Sequence, residues 1–197
     1  MAGLLAPISF PPLTRDKPDR SLSGQFMART ILFICTGNVC RSPMAEGLFR
    51  CLIEENKADL IVKSAGVGAQ DGQPPSGNAI RAMQDLDIDI SPQRSLMLTA
   101  ELAAEADMII GMTHGHVEMV NLMFPHAADK AFLLREFDDT LPLHEREISD
   151  PIGGSYEVYC QCRDQIREGI DSLLNSIQQN KSLVPASMQP VIEIALG

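Results

Sequence analysis

Short apolar runs alternate along the chain with longer segments whose apolar residues recur at helical spacing. The run from Thr30 to Cys35 is almost continuously apolar, as expected for a strand that other elements cover on both faces. Runs at 60–64, 108–112 and 131–134 predict three further strands. Helices are predicted at 42–56, 76–86, 100–105, 114–123 and 155–179. This alternation predicts a single α/β domain, with a central four-stranded parallel sheet flanked by helices on both faces.

The two ends of the chain fall outside this pattern. Residues 1–28 contain several prolines and no usable periodicity, which predicts a flexible leader. The structured domain is therefore expected to span residues 29–180, followed by a linker-like tail at 181–197. Residues 190–197 resemble the opening strand of ribose-5-phosphate isomerase B, so a fused second domain stays open beside a frayed apolar tail.

Composition and charge narrow the classes of partner. The formal net charge is -10, with 26 acidic and 16 basic residues, so the chain lacks the positive field that tracks a nucleic-acid backbone. No apolar run approaches the ~20 residues that span a bilayer. The five cysteines are an odd number at irregular spacings, which favours a reducing compartment over a disulfide framework. We expect a cytoplasmic protein without nucleic-acid or membrane partners.

The chemistry is concentrated directly after the first strand. Cys35 and Arg41 lie six positions apart, between this strand and the next helix. Gly37 and Asn38 are residue types that tolerate positive φ. The residues between can therefore curl their N–H groups inward and, with the helix N-terminus, bind an anion. Arg41 adds a planar fork for two phosphoryl oxygens. The predicted phosphate-binding residues are Thr36, Gly37, Asn38, Val39, Cys40, Arg41 and Ser42.

Cys35 is the predicted nucleophile. The positive loop and the helix N-terminus favour the thiolate, which is the nucleophilic form of cysteine. Ser42 lies close enough in sequence to donate a hydrogen bond to the sulfur and, with Pro43 behind it, is also typical of a helix N-cap. A purely structural role, with Cys35 ending a buried strand and Arg41 on the surface, fits less well. Strand, loop, arginine and helix occur together in the order that the chemistry requires.

The segment 33–46 reads FICTGNVCRSPMAE and resembles the signature of the low-molecular-weight protein tyrosine phosphatases. The resemblance continues through residues 64–66, 112–114 and 150–151, and it covers the chain from about Thr30 to Leu174. It implies a protein phosphatase that works through a phospho-cysteine intermediate on a phosphorylated protein substrate. No metal and no cofactor are expected.

The leaving group needs a proton, and the candidate donor is Asp150. An aspartate before proline, followed by Gly153 and Gly154, indicates a mobile loop. By itself this pattern is more typical of an ordinary turn. The resemblance is what implies that Asp150 is the general acid. The rival carboxylates Asp138 and Asp139 are interpreted as part of a solvated loop.

Supporting roles also follow from the resemblance. Asn38 and Ser64 match positions whose hydrogen bonds hold the phosphate-binding loop in its curled shape, although an ordinary strand-end hydroxyl is equally open for Ser64. The family often has a histidine near the position of Ser91, and this chain lacks it. Cys40 matches a cysteine that can form a protective disulfide with the nucleophile. The alternative for Cys40 is a small residue packed behind the loop.

The remaining histidines and cysteines do not predict a metal site. His114 and His116 stand two positions apart and do not share a helix face. We therefore expect His114 at the strand end and His116 exposed to solvent. Cys160 and Cys162 lie on a predicted helix with no further ligands.

Two indicators of the substrate disagree. Tyrosine-specific members of the family usually have aromatic residues beside the acid loop, which is the loop that carries the general acid (Asp150 in this chain). This chain has Ile152, Gly153 and Gly154 there, in a pattern similar to the bacterial protein arginine phosphatases. Those enzymes carry a threonine where this chain has Val39, whereas tyrosine phosphatases have an aliphatic residue. Because Val39 is closer to the phosphate, phosphotyrosine is the predicted substrate and phosphoarginine the alternative.

Two further classes are weaker alternatives. An arsenate reductase would need additional cysteines to relay a disulfide, and residues 52–159 contain none. A non-catalytic phosphate-binding module would require the loss of Cys35, Arg41 or Asp150, and all three are present.

Overall fold

Four parallel strands form the sheet that the apolar runs predict, in the order β2-β1-β3-β4. The structure is a computed structural model that describes residues 29–56 and 60–178. The strands are β1 (Arg29–Cys35), β2 (Leu60–Gly66), β3 (Met108–Gly111) and β4 (Ala131–Leu133). The predicted single α/β domain is therefore confirmed. The predicted leader, tail and isomerase-like segment lie outside the described residues, so those boundaries stay predictions.

Five α-helices follow the predicted ranges closely. They are α1 (Arg41–Asn56), α2 (Gly77–Gln84), α3 (Ala100–Glu105), α4 (His114–Met123) and α5 (Tyr156–Gln178). Ser76 caps α2, because its hydroxyl oxygen accepts a hydrogen bond from the Ala79 N–H. The N-cap role predicted for Ser42 is wrong: α1 already begins at Arg41, and the Ser42 hydroxyl is used inside the preceding loop instead. The structure also contains three short 3-10 helices, which have no periodic pattern to predict them: Pro125–Lys130, Leu134–Phe137 and Leu143–Glu145.

Strand β1 divides the core into two layers because successive side chains point to opposite faces. Ile31, Phe33 and Cys35 belong to the apolar cluster that includes α1, α2 and α5. Leu32 and Ile34 belong to the cluster that includes α3 and α4. All five side chains are buried. Helices therefore cover both faces of the sheet, as the continuous apolar run of β1 predicts.

The carboxyl end of β1 is the topological switch point of the sheet, because the strands that follow β1 in the chain are added on its opposite sides. Strand β2 pairs with one edge of β1, with Cys35 opposite Gly66. Strand β3 pairs with the other edge, with Ile34 opposite Gly111. In open parallel sheets a crevice for ligands forms at such a point, outside the carboxyl ends of the strands. Cys35 is thus placed at this crevice by topology. Among the helices of the described ranges, none has the length and apolarity to cross a membrane.

Candidate active site

The loop between β1 and α1 is curled so that its carbonyl groups point outward. The carbonyl oxygens of Cys35, Thr36 and Val39 accept hydrogen bonds from backbone N–H groups outside the loop, those of Val67, Gly68 and Ser76. Because a peptide N–H points opposite to its C=O, the N–H groups between these carbonyls can face the centre of the loop. The turn depends on Asn38, whose φ is +53°, a conformation that asparagine tolerates better than most residues. Of the two residues predicted to tolerate positive φ, only Asn38 adopts it.

The thiol of Cys35 lies at the base of this loop, only 2% exposed. Its Sγ is 3.1 Å from the Ser42 Oγ, as predicted. Ser42 is held in this position because its Oγ accepts a hydrogen bond from the Asn38 side-chain amide (2.8 Å) and donates one to the Ala65 carbonyl oxygen (3.3 Å). The single hydroxyl hydrogen of Ser42 thus has two acceptors within reach, the Ala65 carbonyl oxygen and the Cys35 sulfur.

Arg41 is buried directly beside this thiol-bearing loop, with its side chain 4% exposed. One terminal nitrogen donates to the Ile148 carbonyl oxygen at 3.2 Å. The other donates to the Asp150 Oδ2 at 2.5 Å. The third nitrogen, Nε, is buried and has no hydrogen-bond partner among the described residues. A buried N–H group without an acceptor is costly, so an acceptor that reached the Arg41 Nε from the cavity would be bound favourably.

Asp150 reaches the same place from a separate loop before α5. Its Oδ1 accepts a hydrogen bond from the Ile152 N–H (3.1 Å), and the Gly154 N–H donates to the Pro151 carbonyl oxygen (2.8 Å). Gly153, inside the second of these turns, has a positive φ of 75°, which costs glycine little. The Asp150 side chain stays 39% exposed, so its carboxyl group faces both Arg41 and solvent.

A single cavity of about 200 Å³ brings these groups together. It is lined by Cys35, Thr36, Gly37, Val39, Cys40, Arg41, Asp150 and Ile152. The rival carboxylates do not reach it: Asp138 accepts hydrogen bonds from Thr140 within its own turn, and Asp139 is exposed. Tyr156, an aromatic residue that follows the Asp150 loop, does not line the cavity. Its ring lies under the Arg81 guanidinium, with 3.8 Å between the guanidinium carbon and the ring centroid.

A hydrogen-bond chain behind the loop holds Asn38 in place. The Asn38 amide donates to the Ser64 Oγ at 2.9 Å, and its Oδ1 accepts from the Leu96 N–H at 2.8 Å. The Ser64 hydroxyl in turn donates to the Glu46 Oε2 at 2.6 Å. Glu46, which also pairs with Arg50, was missed from the sequence. The signal that could have indicated it is a carboxylate on the inward face of α1, where burial requires a partner.

Cys40 lines the cavity, but its thiol packs against side chains behind the loop. It is 3% exposed, and its Sγ is 3.4 Å from both the Ser76 Oγ and the Tyr159 hydroxyl. Burial raises the pKa of the Cys40 thiol above its ordinary value. All five cysteines are free thiols in this structure, so the disulfide with Cys35 stays a prediction.

The expectation that His116 is exposed is wrong. His116 is the third residue of α4 and is only 5% exposed, because the start of α4 turns this side chain back toward the loop between β1 and α1. Its Nε2 lies 3.1 Å from the Thr36 Oγ1, and its Nδ1 accepts a hydrogen bond from the Thr113 N–H at 3.2 Å. His114, by contrast, starts α4 at the end of β3, where its N–H donates to Glu147. Within 29–56 and 60–178, no group of three or more His, Cys, Asp or Glu residues could hold a metal ion.

Fold and site together define a parallel α/β protein with a buried thiol at the base of an anion-sized pocket, next to a buried arginine. The chain belongs to the low molecular weight phosphotyrosine protein phosphatase family, whose model matches residues 30–183. It is 40% identical over 154 residues to a protein-arginine-phosphatase of Geobacillus stearothermophilus, covering 77% of this chain and 98% of that protein. It is 31% identical over 144 residues to the low molecular weight protein-tyrosine-phosphatase PtpB of Staphylococcus epidermidis, covering 73% and 95%. The solution structure of a low molecular weight protein tyrosine phosphatase from Bacillus subtilis matches with a TM-score of 0.68 at 35% identity, covering 77% of this chain and 98% of that one.

Proposed function

We propose that this chain is a cysteine-dependent protein phosphatase that hydrolyses phosphotyrosine, with Cys35 as nucleophile, Arg41 as phosphoryl-binding residue and Asp150 as general acid. The observation that carries the proposal is that a buried thiol, a buried guanidinium and a half-exposed carboxylate line one cavity. Membership of the family supports the same class of reaction.

Substrate binding would satisfy the unpartnered groups of the pocket. The phosphoryl oxygens are acceptors for the inward N–H groups of the loop and for the Arg41 Nε. An entering oxygen can also replace the Asp150 Oδ2 at the terminal nitrogen that it now occupies. With the substrate bound, each nitrogen of Arg41 would have an acceptor, and the Asp150 carboxyl group would be released toward the leaving group.

The first half-reaction transfers the phosphoryl group to sulfur. The Cys35 thiolate forms the S–P bond while the bond from phosphorus to the phenolic oxygen breaks, and its electron pair goes to that oxygen. The Asp150 carboxyl group, 39% exposed to solvent, takes up a proton from water once it has left Arg41. It then donates this proton to the phenolic oxygen, so that the phenol leaves as a neutral molecule. Arg41 and the loop N–H groups stabilise the negative charge on the three remaining oxygens throughout.

The second half-reaction returns the enzyme to its starting state. Asp150, now a carboxylate, takes a proton from water as the water oxygen attacks phosphorus. The S–P bond breaks and its electron pair returns to Cys35. The Ser42 hydroxyl, 3.1 Å from the sulfur, donates a hydrogen bond to the departing thiolate and so favours this step.

The walls of the cavity favour a phenyl ring over a guanidinium group. Val39 and Ile152 are the apolar side chains at its sides, and Ile152 is 62% exposed, so it can cover an aromatic ring from outside. A guanidinium group would need several acceptors, whereas the one carboxylate among the residues that line the cavity is Asp150, which the proposed reaction uses as the proton donor.

Phosphoarginine is the second candidate, and a specific observation favours it. The relative with 40% identity is named a protein-arginine-phosphatase, and the acid loop has the glycines in place of aromatic residues. The arsenate reductase alternative is weaker. An arsenate reductase needs additional cysteines to relay a disulfide, and residues 52–159 contain none.

We further propose that Cys40 protects Cys35 from irreversible oxidation in the cytoplasm. A peroxide would oxidise the Cys35 thiolate to a sulfenic acid, and attack by the Cys40 sulfur would form the disulfide and release water. Two measurements after peroxide treatment test this role. Mass spectrometry should detect a disulfide between Cys35 and Cys40, and activity is assayed again after reduction with dithiothreitol. Wild-type activity should return with the reductant, whereas the Cys40→Ser variant should lose activity permanently. Equal recovery of the two proteins would refute this role.

The deciding experiment compares initial rates on matched phosphotyrosine and phosphoarginine peptides. Wild-type protein should be faster on phosphotyrosine, Cys35→Ser should be inactive, and Asp150→Asn should lose about 100-fold or more in kcat, as expected for a general acid. Val39→Thr is the matched variant for specificity and should shift the ratio toward phosphoarginine. A faster wild-type rate on phosphoarginine would reject the phosphotyrosine assignment, and activity that survives Cys35→Ser would reject the mechanism.

A further inference from the structure

The buried His116 is a side chain that the proposed reaction does not use, and its protonation can be read from its partners. Its Nδ1 is within hydrogen-bond distance of two groups of Thr113, the backbone N–H at 3.2 Å and the hydroxyl oxygen at 3.0 Å. A backbone N–H can only donate, so Nδ1 must be the unprotonated, accepting nitrogen. The ring proton therefore lies on Nε2, which donates to the Thr36 Oγ1 at 3.1 Å.

The surroundings keep this ring neutral. Burial, then the positive charge of Arg41, lowers the pKa of His116 from 6.5 to about 4, against smaller opposing effects of Asp150 and Glu147. A charged ring would carry a proton on Nδ1 as well, and this proton would point at the Thr113 N–H. The geometry and the charges thus select the same form of the ring near neutral pH.

A fixed donor on His116 also fixes the role of the Thr36 hydroxyl. Because Thr36 Oγ1 accepts a hydrogen bond from His116, its own hydrogen is directed elsewhere. Thr36 is exposed and lines the cavity next to Cys35. A phosphoryl group in that cavity presents acceptors only, so a hydroxyl held as a donor at the rim is complementary to it.

We propose that the Thr36 side chain is an additional hydrogen-bond donor to the phosphoryl group and that His116 is the positioning residue that orients it. This inference rests on the proposed phosphatase function, because it assigns a new donor to the same site. The groups that bind phosphate would then include one side chain of the loop as well as its backbone N–H groups. The first turn of α4 would contribute to the pocket through the hydrogen bond from His116 to Thr36. In this role His116 neither takes up nor releases a proton during turnover.

Four variants separate positioning from mere packing. Thr36→Val removes the hydroxyl and keeps the shape, whereas Thr36→Ser keeps a hydroxyl. His116→Asn places an acceptor near Thr113 but loses the bond to Thr36. His116→Gln places an amide N–H near the position of Nε2. Thr99→Val is the matched threonine control, because the Thr99 hydroxyl oxygen accepts a hydrogen bond from the Leu102 N–H at the start of α3, away from the cavity.

The readout is kcat/KM on an aryl phosphate, with thermal unfolding measured in parallel. Thr36→Val and His116→Asn should each lose about tenfold, as expected for one hydrogen bond to a charged group. The double variant should lose no more than either single one, since both changes remove the same bond. Thr36→Ser and His116→Gln should be more active than Thr36→Val and His116→Asn, respectively. Thr99→Val should lower the unfolding temperature without this loss of kcat/KM.

Additive losses in the double variant, or no loss in Thr36→Val, would overturn the inference. Binding of inorganic phosphate, measured by calorimetry without turnover, separates it from the proposed function. If the wild-type protein hydrolyses nothing but Thr36→Val still weakens phosphate binding about tenfold, the donor role stands and the phosphatase assignment fails. If turnover depends on Cys35 but Thr36→Val binds phosphate as well as wild type does, the phosphatase assignment stands and the donor role fails.

Discussion

Gly66, the last residue of β2, is the position at which one added methyl group should damage the site most. A Cβ on this residue would lie 2.6 Å from the Thr36 carbonyl oxygen, 2.9 Å from the Asn38 backbone nitrogen and 2.9 Å from the Ala69 Cβ. Two of these atoms belong to the backbone of the phosphate-binding loop and cannot move away by a side-chain rotation. Ordinary contact begins at 3.4 Å, so the loop must retreat by most of an ångström in Gly66→Ala.

The size of the effect follows from this displacement. An overpacked methyl group costs about 1–3 kcal/mol of unfolding free energy, which corresponds to a decrease of roughly 2–12 °C in Tm for a domain of this size. A misplacement of about 1 Å in a catalytic constellation costs about 100-fold in rate. We therefore expect Gly66→Ala to be folded at 25 °C and to lose about 100-fold in kcat/KM.

Gly68→Ala is the matched control, because a Cβ there would meet only the Thr36 carbonyl oxygen, at 3.8 Å. Both variants are assayed on an aryl phosphate, and Tm is measured by calorimetry. The Gly68→Ala variant should keep kcat/KM within about threefold of the wild-type value, because the loop need not move. Its free energy of unfolding should change by less than about 0.5 kcal/mol, as is usual for surface substitutions. A Gly66→Ala variant with wild-type kcat/KM would refute the claim that the loop is held rigidly against β2.

Three further predictions address single groups of the site. Arg41→Lys should lose at least about 100-fold in kcat/KM, because an ammonium group cannot bind two phosphoryl oxygens in a plane; steady-state rates near wild type would contradict this. Ser42→Ala should slow breakdown of the phospho-cysteine more than its formation, which stopped-flow assays would show as a burst of phenol, and an unchanged ratio of the two rates would argue against a hydrogen bond to the leaving sulfur. The pKa of His116 is lowered from 6.5 to about 4 in the folded protein, so the unfolded chain binds a proton more readily between these values. The stability it contributes is fully present above pH 6.5 and is lost as the pH falls toward 4; calorimetry should show a smaller decrease of Tm over this range in His116→Asn, and identical decreases would contradict the assignment.

Much of the site could be predicted because it is local in sequence. Cys35, Arg41 and Ser42 lie within one strand–loop–helix unit, whose residue types and spacing already require a strand end, a tight turn and a helix start. The short range of these contacts leaves few alternatives, and the geometry of the loop follows from backbone preferences such as the positive φ of Asn38. The four strands could be predicted for the same reason, since a strand buried on both faces is apolar throughout.

What only the tertiary structure decided are the contacts between residues far apart in the chain. The resemblance to the family implies that Asp150 belongs to the site with Arg41. The residues next to Asp150 in the sequence do not, because an Asp-Pro turn has no local feature that indicates its partner. The burial of Glu46 against Ser64 and of His116 against Thr36 was missed. From sequence alone, a polar side chain is expected to be exposed. It is buried only where another element of the fold brings the group that satisfies its hydrogen bonds. Periodicity tells which face of a helix is apolar, but the pairing of polar groups across elements is set by the packing of the whole domain.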